Sequence, residues 1–203
     1  MLLSTSSIKA TLAQNPAKRR INSRSRKQDP ESFQESESLP PDFVSDREKA
    51  LNKAIGQIEP GVNTHYYSFG NYNLVRLVVY LLKQLGPCHV FLSSYSFSTK
   101  SINQLNHLIE TGKILSFRVL LDNRVRSISP KPFQMIAASF NYRCTSVHAK
   151  TALLYNDNWQ VTIVTSQNAT DNPKMERGII FTDTQIFEFD LKNLTNAFNR
   201  GTT

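Results

Sequence analysis

Residues 147–181 read VHAKTALLYNDNWQVTIVTSQNATDNPKMERGIIF, and the spacing of their polar groups sets the expectation for the rest of the chain. His148 and Lys150 are two apart, so on a β-strand they point to one face. Ser166 and Asn168 repeat that spacing on what reads as the next strand. Between the two strands, Asn156, Asp157 and Asn158 form a run of turn formers able to close a hairpin. Glu176 stands just before a further apolar strand over 178–181. A hairpin lays the Ser/Asn face beside the His/Lys face. An imidazole, an ammonium, a hydroxyl and an amide then converge, with a carboxylate nearby.

A phosphodiester asks for those groups. An imidazole can attack phosphorus and carry a covalent intermediate. An ammonium and an amide N–H can hold the non-bridging oxygens, where transition-state charge concentrates. A carboxylate on the second ring nitrogen fixes the tautomer and stabilises the cation. This scheme calls for neither a metal nor a cofactor.

Upstream, 89–95 reads as a buried strand whose polar end, Ser94-Tyr95-Ser96, falls where ligand sites gather in α/β sheets. Thr99 caps a helix with Ile102, Leu105, Leu108 and Ile109 inward, closed by Gly112, and 116–121 is the next strand, ending in Asp122. Strand, helix, strand implies a right-handed crossover and a parallel pair. The segment 123–132, with Arg124, Arg126 and Lys131, reads as a polar loop and a candidate substrate lip. A short helix over 133–140 leads into the hairpin, and 185–198 makes a final amphipathic helix. Nearer the start, Ser45-Asp46-Arg47-Glu48 is a capping box opening a helix that Pro60-Gly61 ends. A short strand follows at 64–68. Leu74, Leu77, Val78, Leu81, Leu82 and Leu85 then stripe a helix stopped by Gly86 and Pro87. The expected architecture is α/β: a mixed sheet flanked by helices on both faces.

The segment resembles the H-x-K-x4-D-x6-G-S-x-N motif of the phospholipase D superfamily, and the strand–helix–strand before it is similar to that of its small single-motif bacterial and phage nucleases. The likeness spans roughly residues 64–200. It implies a nucleophile at His148, a phosphate-binding lysine at Lys150, phosphate contacts at Ser166 and Asn168, and the later acid at Glu176. Two positions depart: Tyr155 stands where the motif has aspartate, and Thr165 replaces its glycine. The hairpin is also three residues longer than the pattern. The family's chemistry uses two histidines, one attacking and one protonating the leaving oxygen. A single H-x-K therefore implies a two-fold homodimer with a composite site.

Charge agrees with a polyanionic substrate. Residues 1–28 carry seven Lys/Arg and no acid, 29–48 carry seven acids and one base, and the remainder has 16 bases against 9 acids. A basic body is a footprint for nucleic acid, and the resemblance to those nucleases puts DNA before RNA as the expected partner. Residues 1–44 read as a disordered basic-then-acidic tail, and 45–203 as one domain. The acid-free start permits a transit peptide as an alternative to a cytoplasmic protein, and it lacks a secretory apolar core. No apolar run reaches the ~18 residues of a membrane span. Cys88 and Cys144 read as buried thiols, and no histidine has metal-ligand spacing. Two other readings stay open: a degenerate module that only binds DNA or a protein, and a phosphodiesterase acting on phospholipid.

Overall fold

Three strands show the period-two alternation that decides the layering. In β2 (Cys88–Ser94) Val90 and Leu92 face one way and Phe91 the other; in β3 (Ile114–Asp122) Val119 and Leu121 oppose Leu120; in β5 (Lys150–Tyr155) Ala152 and Leu154 oppose Leu153. Both faces are apolar, so both must be covered. Each buried leucine contributes on the order of 1.5–3 kcal/mol.

The computed structural model describes residues 46–203. The tail over 1–44 and the Ser45 cap lie outside the described residues. Seven strands form one mixed sheet. In chain order the others are β1 (Thr64–Phe69), β4 (Asn141–Thr145), β6 (Gln160–Thr165) and β7 (Met175–Phe181), and the spatial order is β1-β7-β6-β5-β2-β3-β4. β2, β3 and β4 run parallel, whereas β5, β6, β7 and β1 follow antiparallel. One face packs on α1 (Asp46–Ala54), α2 (Leu74–Leu85), α3 (Thr99–Glu110) and α5 (Pro130–Ser139). The other takes α6 (Thr184–Arg200), through Phe187, Leu194 and Phe198. Helices on both faces of a mixed sheet are the expected layout.

α2 is the most deeply placed helix, with eight of its twelve residues buried. Asn73 caps its start by accepting from the Arg76 N–H, and Gly86, at φ 77°, closes its end where a side chain would be strained.

Several boundaries differ from the sequence reading. α1 ends at Ala54, before Pro60 and Gly61, because the chain already turns at Gly56 with φ 66°. The expected loop at 123–132 holds a short helix, α4 (Val125–Ile128), and α5 begins at Pro130, three residues early. Proline in a first helical turn lacks only a donor that has no helical partner anyway, so Pro130 starts the helix rather than delaying it. His148 lies before β5 rather than on it, since pairing with β6 begins at Lys150↔Thr165 and with β2 at Ser93↔Thr151. Ser166 and Asn168 lie past the end of β6 for the same reason. Glu176 stands inside β7, opposite Ser68. Cys88 and Cys144 are buried free thiols, and burial pushes Cys88 up to about 11. Among the described residues no helix is long and apolar enough to cross a membrane.

Candidate active site

The strand directions gather the polar groups at one edge of the sheet. β2, β3 and β4 end there, β5 and β7 begin there, and β6 and β1 end there. Ser94, Asp122, Lys150, Thr165 and Glu176 are thus brought to a common edge by topology alone.

Lys150 is 7 % exposed, whereas His148 is exposed. The ammonium donates to the His148 carbonyl oxygen at 2.7 Å and lies 3.0 and 3.3 Å from its ring Nδ1 and Nε2. Burial holds Lys150 below the ordinary lysine value, opposed by the nearby Glu176 charge. The imidazole leans on Tyr95, with ring centroids 5.2 Å apart. Tyr95 also meets the Arg124 guanidinium, 5.0 Å from its centroid, and Lys150 Nζ at 5.9 Å. Arg124 is tied back by its Nε to Asp122 at 2.7 Å, which holds the Asp122 carboxyl below the usual carboxylate range. Tyr95, a candidate in the sequence by position alone, thus supports the imidazole, and Arg124, another, backs Tyr95.

The segment after β6 is stitched to the end of β2. Ala169 N–H donates to Ser96 O at 3.1 Å, and Ser98 N–H donates to Ala169 O at 3.1 Å. Asn168 is held at main chain and side chain: its backbone O accepts from Leu74 N–H at 3.2 Å, and its Oδ1 lies 3.5 Å from Ser94 Oγ. Its Nδ2 donates to no protein atom among the described residues, which leaves two N–H groups for an incoming oxygen. Gln167, between Ser166 and Asn168, is 3 % exposed. It donates to Tyr72 O at 2.8 Å and accepts from Tyr66 Oη at 3.2 Å, pinning the segment from below.

Ser166 Oγ donates to the Glu176 carboxylate and accepts from Arg177 N–H at 3.0 Å. The other Glu176 oxygen accepts from Asn172 Nδ2 at 2.7 Å. The carboxylate expected to orient the imidazole is therefore engaged with a hydroxyl and an amide of the same chain. Gln167 and Asn172 gave no sequence signal beyond the Asn172-Pro173 turn dipeptide. Gly70, at φ 80°, supports that turn: a Cβ there would press on the Pro173 backbone.

Tyr155 sits at the other end of β5, five residues and roughly 16 Å from Lys150 along the strand. Its ring packs on Phe187 and His89, with centroids 5.5 and 5.1 Å away. Among the described residues no three His, Cys, Asp or Glu side chains gather as a metal-binding group.

This arrangement has relatives among solved structures. The chain is similar to Nuc from Salmonella typhimurium, described as a phospholipase D family member, with TM-score 0.53 and 18 % identity over 69 % of this chain and 95 % of Nuc. It has the phospholipase D fold. Polyphosphate kinase from Porphyromonas gingivalis shares that fold at TM-score 0.53 and 16 % identity, over 70 % of this chain and 26 % of the kinase. No family model and no curated protein matches the sequence. Within the phospholipase D fold, the residues that carried the resemblance all lie at the edge just described, and Tyr155 alone among the motif positions stands away from it.

Proposed function

We propose that the chain is a metal-independent phosphodiesterase that cleaves nucleic acid, DNA before RNA, through a phosphohistidine intermediate in a homodimeric site. The observation that carries this reading is an exposed imidazole clasped by a buried ammonium, on an edge where the Asn168 amide N–H groups are unengaged.

One ring nitrogen of His148 attacks phosphorus, a P–N bond forms, and the P–O bond to the leaving group breaks. The leaving oxygen takes its proton from His148 of the partner subunit. Water then attacks the phosphohistidine and gives its proton to that second imidazole, and the P–N bond breaks. Lys150 and Asn168 neutralise the equatorial oxygens through these steps. Ser166 offers a further contact, with its hydroxyl set by Glu176. The tyrosine in place of the motif aspartate would favour a degenerate binding module, but Tyr155 stands at the far end of β5, remote from the imidazole.

Plasmid DNA incubated in EDTA tests the reading. Wild type is expected to nick and linearise the plasmid while His148→Ala leaves it intact, a loss of about 10³-fold or more for removal of a nucleophile. Cleavage that requires added magnesium overturns the mechanism. Sedimentation should give twice the 23.1 kDa chain mass, and a monomer with full activity overturns the composite site.

A further inference from the structure

We infer that the β3–β4 crossover, running from Arg124 through α4 and the start of α5, is the rail along which the phosphate backbone of a nucleic acid approaches the site. The inference rests on the phosphodiesterase reading only for what lies at the end of the rail.

Charge along the chain is the first ground. Between Asp122 and Asp157 there is no Asp or Glu, while Arg124, Arg126, Lys131, Arg143 and Lys150 all fall in that stretch. This one segment supplies the crossover, the outer strand β4 and the clasped His148. On the other flank of the imidazole charges are mixed: Asp171 and Glu176 lie among Arg76, Lys174 and Arg177, and Asp171 pairs with Arg76 at 3.7 Å. The field at the site is therefore one-sided, and a polyanion is drawn along the crossover flank.

Geometry is the second ground. Arg124 has a 62 % exposed side chain and is aimed by two fixed neighbours, Asp122 and the Tyr95 ring that also supports the imidazole. Its Nε and Nη2 serve Asp122, which leaves Nη1 for a phosphate beside the scissile one. Two residues on, the exposed Arg126 stacks on Phe133, 5.3 Å from its centroid, and Phe133 stands edge-on to Tyr142 of β4 at 5.7 Å. Arg126 and the exposed Lys131 donate to no protein atom among the described residues. Two cations ordered or placed on a helical crossover, with no carboxylate to answer them, are left for phosphates.

The test measures binding without turnover. Full-length His148→Ala protein in EDTA is titrated into a fluorescein-labelled DNA oligonucleotide, followed by anisotropy across a salt series. Adding Arg126→Gln and Lys131→Gln should lower the slope of log affinity against log salt by roughly 1.4 to 1.8, because each phosphate contact contributes about 0.7 to 0.9. A matched pair at the opposite end of the sheet, Lys83→Gln with Lys113→Gln, should leave the slope where it was. Restoring charge with Arg126→Lys and Lys131→Arg should bring the slope back. An unchanged slope in the crossover pair, an equal loss in the control pair, or no DNA binding at all overturns the rail. DNA binding with the predicted slopes but no cleavage by wild type sinks the phosphodiesterase reading and leaves the rail standing.

Discussion

Lys150 Nζ stands 3.0 Å from Nδ1 and 3.3 Å from Nε2 of His148, and 2.7 Å from that residue's own carbonyl oxygen. The ammonium is thus fastened to both the ring and the main chain of the residue two before it.

That fastening has a pH signature. Burial holds Lys150 below 10.5, so between its folded and unfolded values the unfolded chain binds more protons and stability rises with pH. The ammonium is lost through the same window, so on the proposed mechanism cleavage falls as stability rises. The expected result is an alkaline limb in the rate beginning below pH 10.5 while melting temperature holds or increases. Lys150→Met should cut cleavage by roughly 10²–10³-fold without destabilising the fold. Rates and thermal melts in the same buffers decide it; an alkaline limb that tracks unfolding refutes it.

Ser166 and Glu176 act as one unit, because the hydroxyl donates to the carboxylate and both face the entry edge. Ser166→Ala and Glu176→Gln should each slow cleavage, and the double variant should be little worse than either alone. A coupling of about 0.5–3 kcal/mol is the expected size for residues in direct contact. Additive losses would show that the carboxylate acts elsewhere, on an imidazole above all.

The sequence carried the site further than it carried the elements that hold it. Two-residue spacing in H-x-K and S-x-N, with β-branched runs between, was enough to bring His148, Lys150, Ser166, Asn168 and Glu176 to one edge. Spacing says which residues share a face, but not where a ladder begins. That point is set by partners distant in sequence, Ser93 for β5 and Arg177 for the residue after β6. Hence His148, Ser166 and Asn168 lie just off the strands and Glu176 just on one. The walls of the site were less legible still. Tyr95 and Gln167 act through neighbours that the fold supplies, His148 for the first and Tyr66 and Tyr72 for the second, whereas Arg124 and Asn172 bind carboxylates only two and four residues away, Asp122 and Glu176.

Position 155 separates the two kinds of information. Tyr155 fills a half-buried gap between Phe187 and His89, far down β5 from the imidazole. Restoring the motif residue with Tyr155→Asp places a carboxylate against aromatic rings, with an expected cost of about 1–3 kcal/mol. Urea unfolding should report that loss, while the rate per folded molecule stays near wild type. A gain in rate would mean that the tyrosine had silenced the site.

Gly178 ties the interior of the sheet to the edge that carries His148 and Lys150. It sits on β7 opposite Tyr66 of β1 and Thr165 of β6, and a Cβ there would overlap the Tyr66 ring. That ring is 1 % exposed, and its hydroxyl donates to Gln167, the residue that pins the Ser166–Asn168 segment from below. Tyr66 is fully buried, so its ring can yield only by shifting β1 or the Gln167 contact. Gly178→Ala should therefore destabilise the fold by about 1–3 kcal/mol, the range for overpacking a filled interior. It should also lower the rate per folded molecule, because displacing Gln167 moves Asn168 and Ser166 from their places beside Lys150. Unfolding curves give the first quantity and cleavage normalised to folded protein gives the second. Destabilisation with an unaltered normalised rate would break the link between the Tyr66 ring and the site.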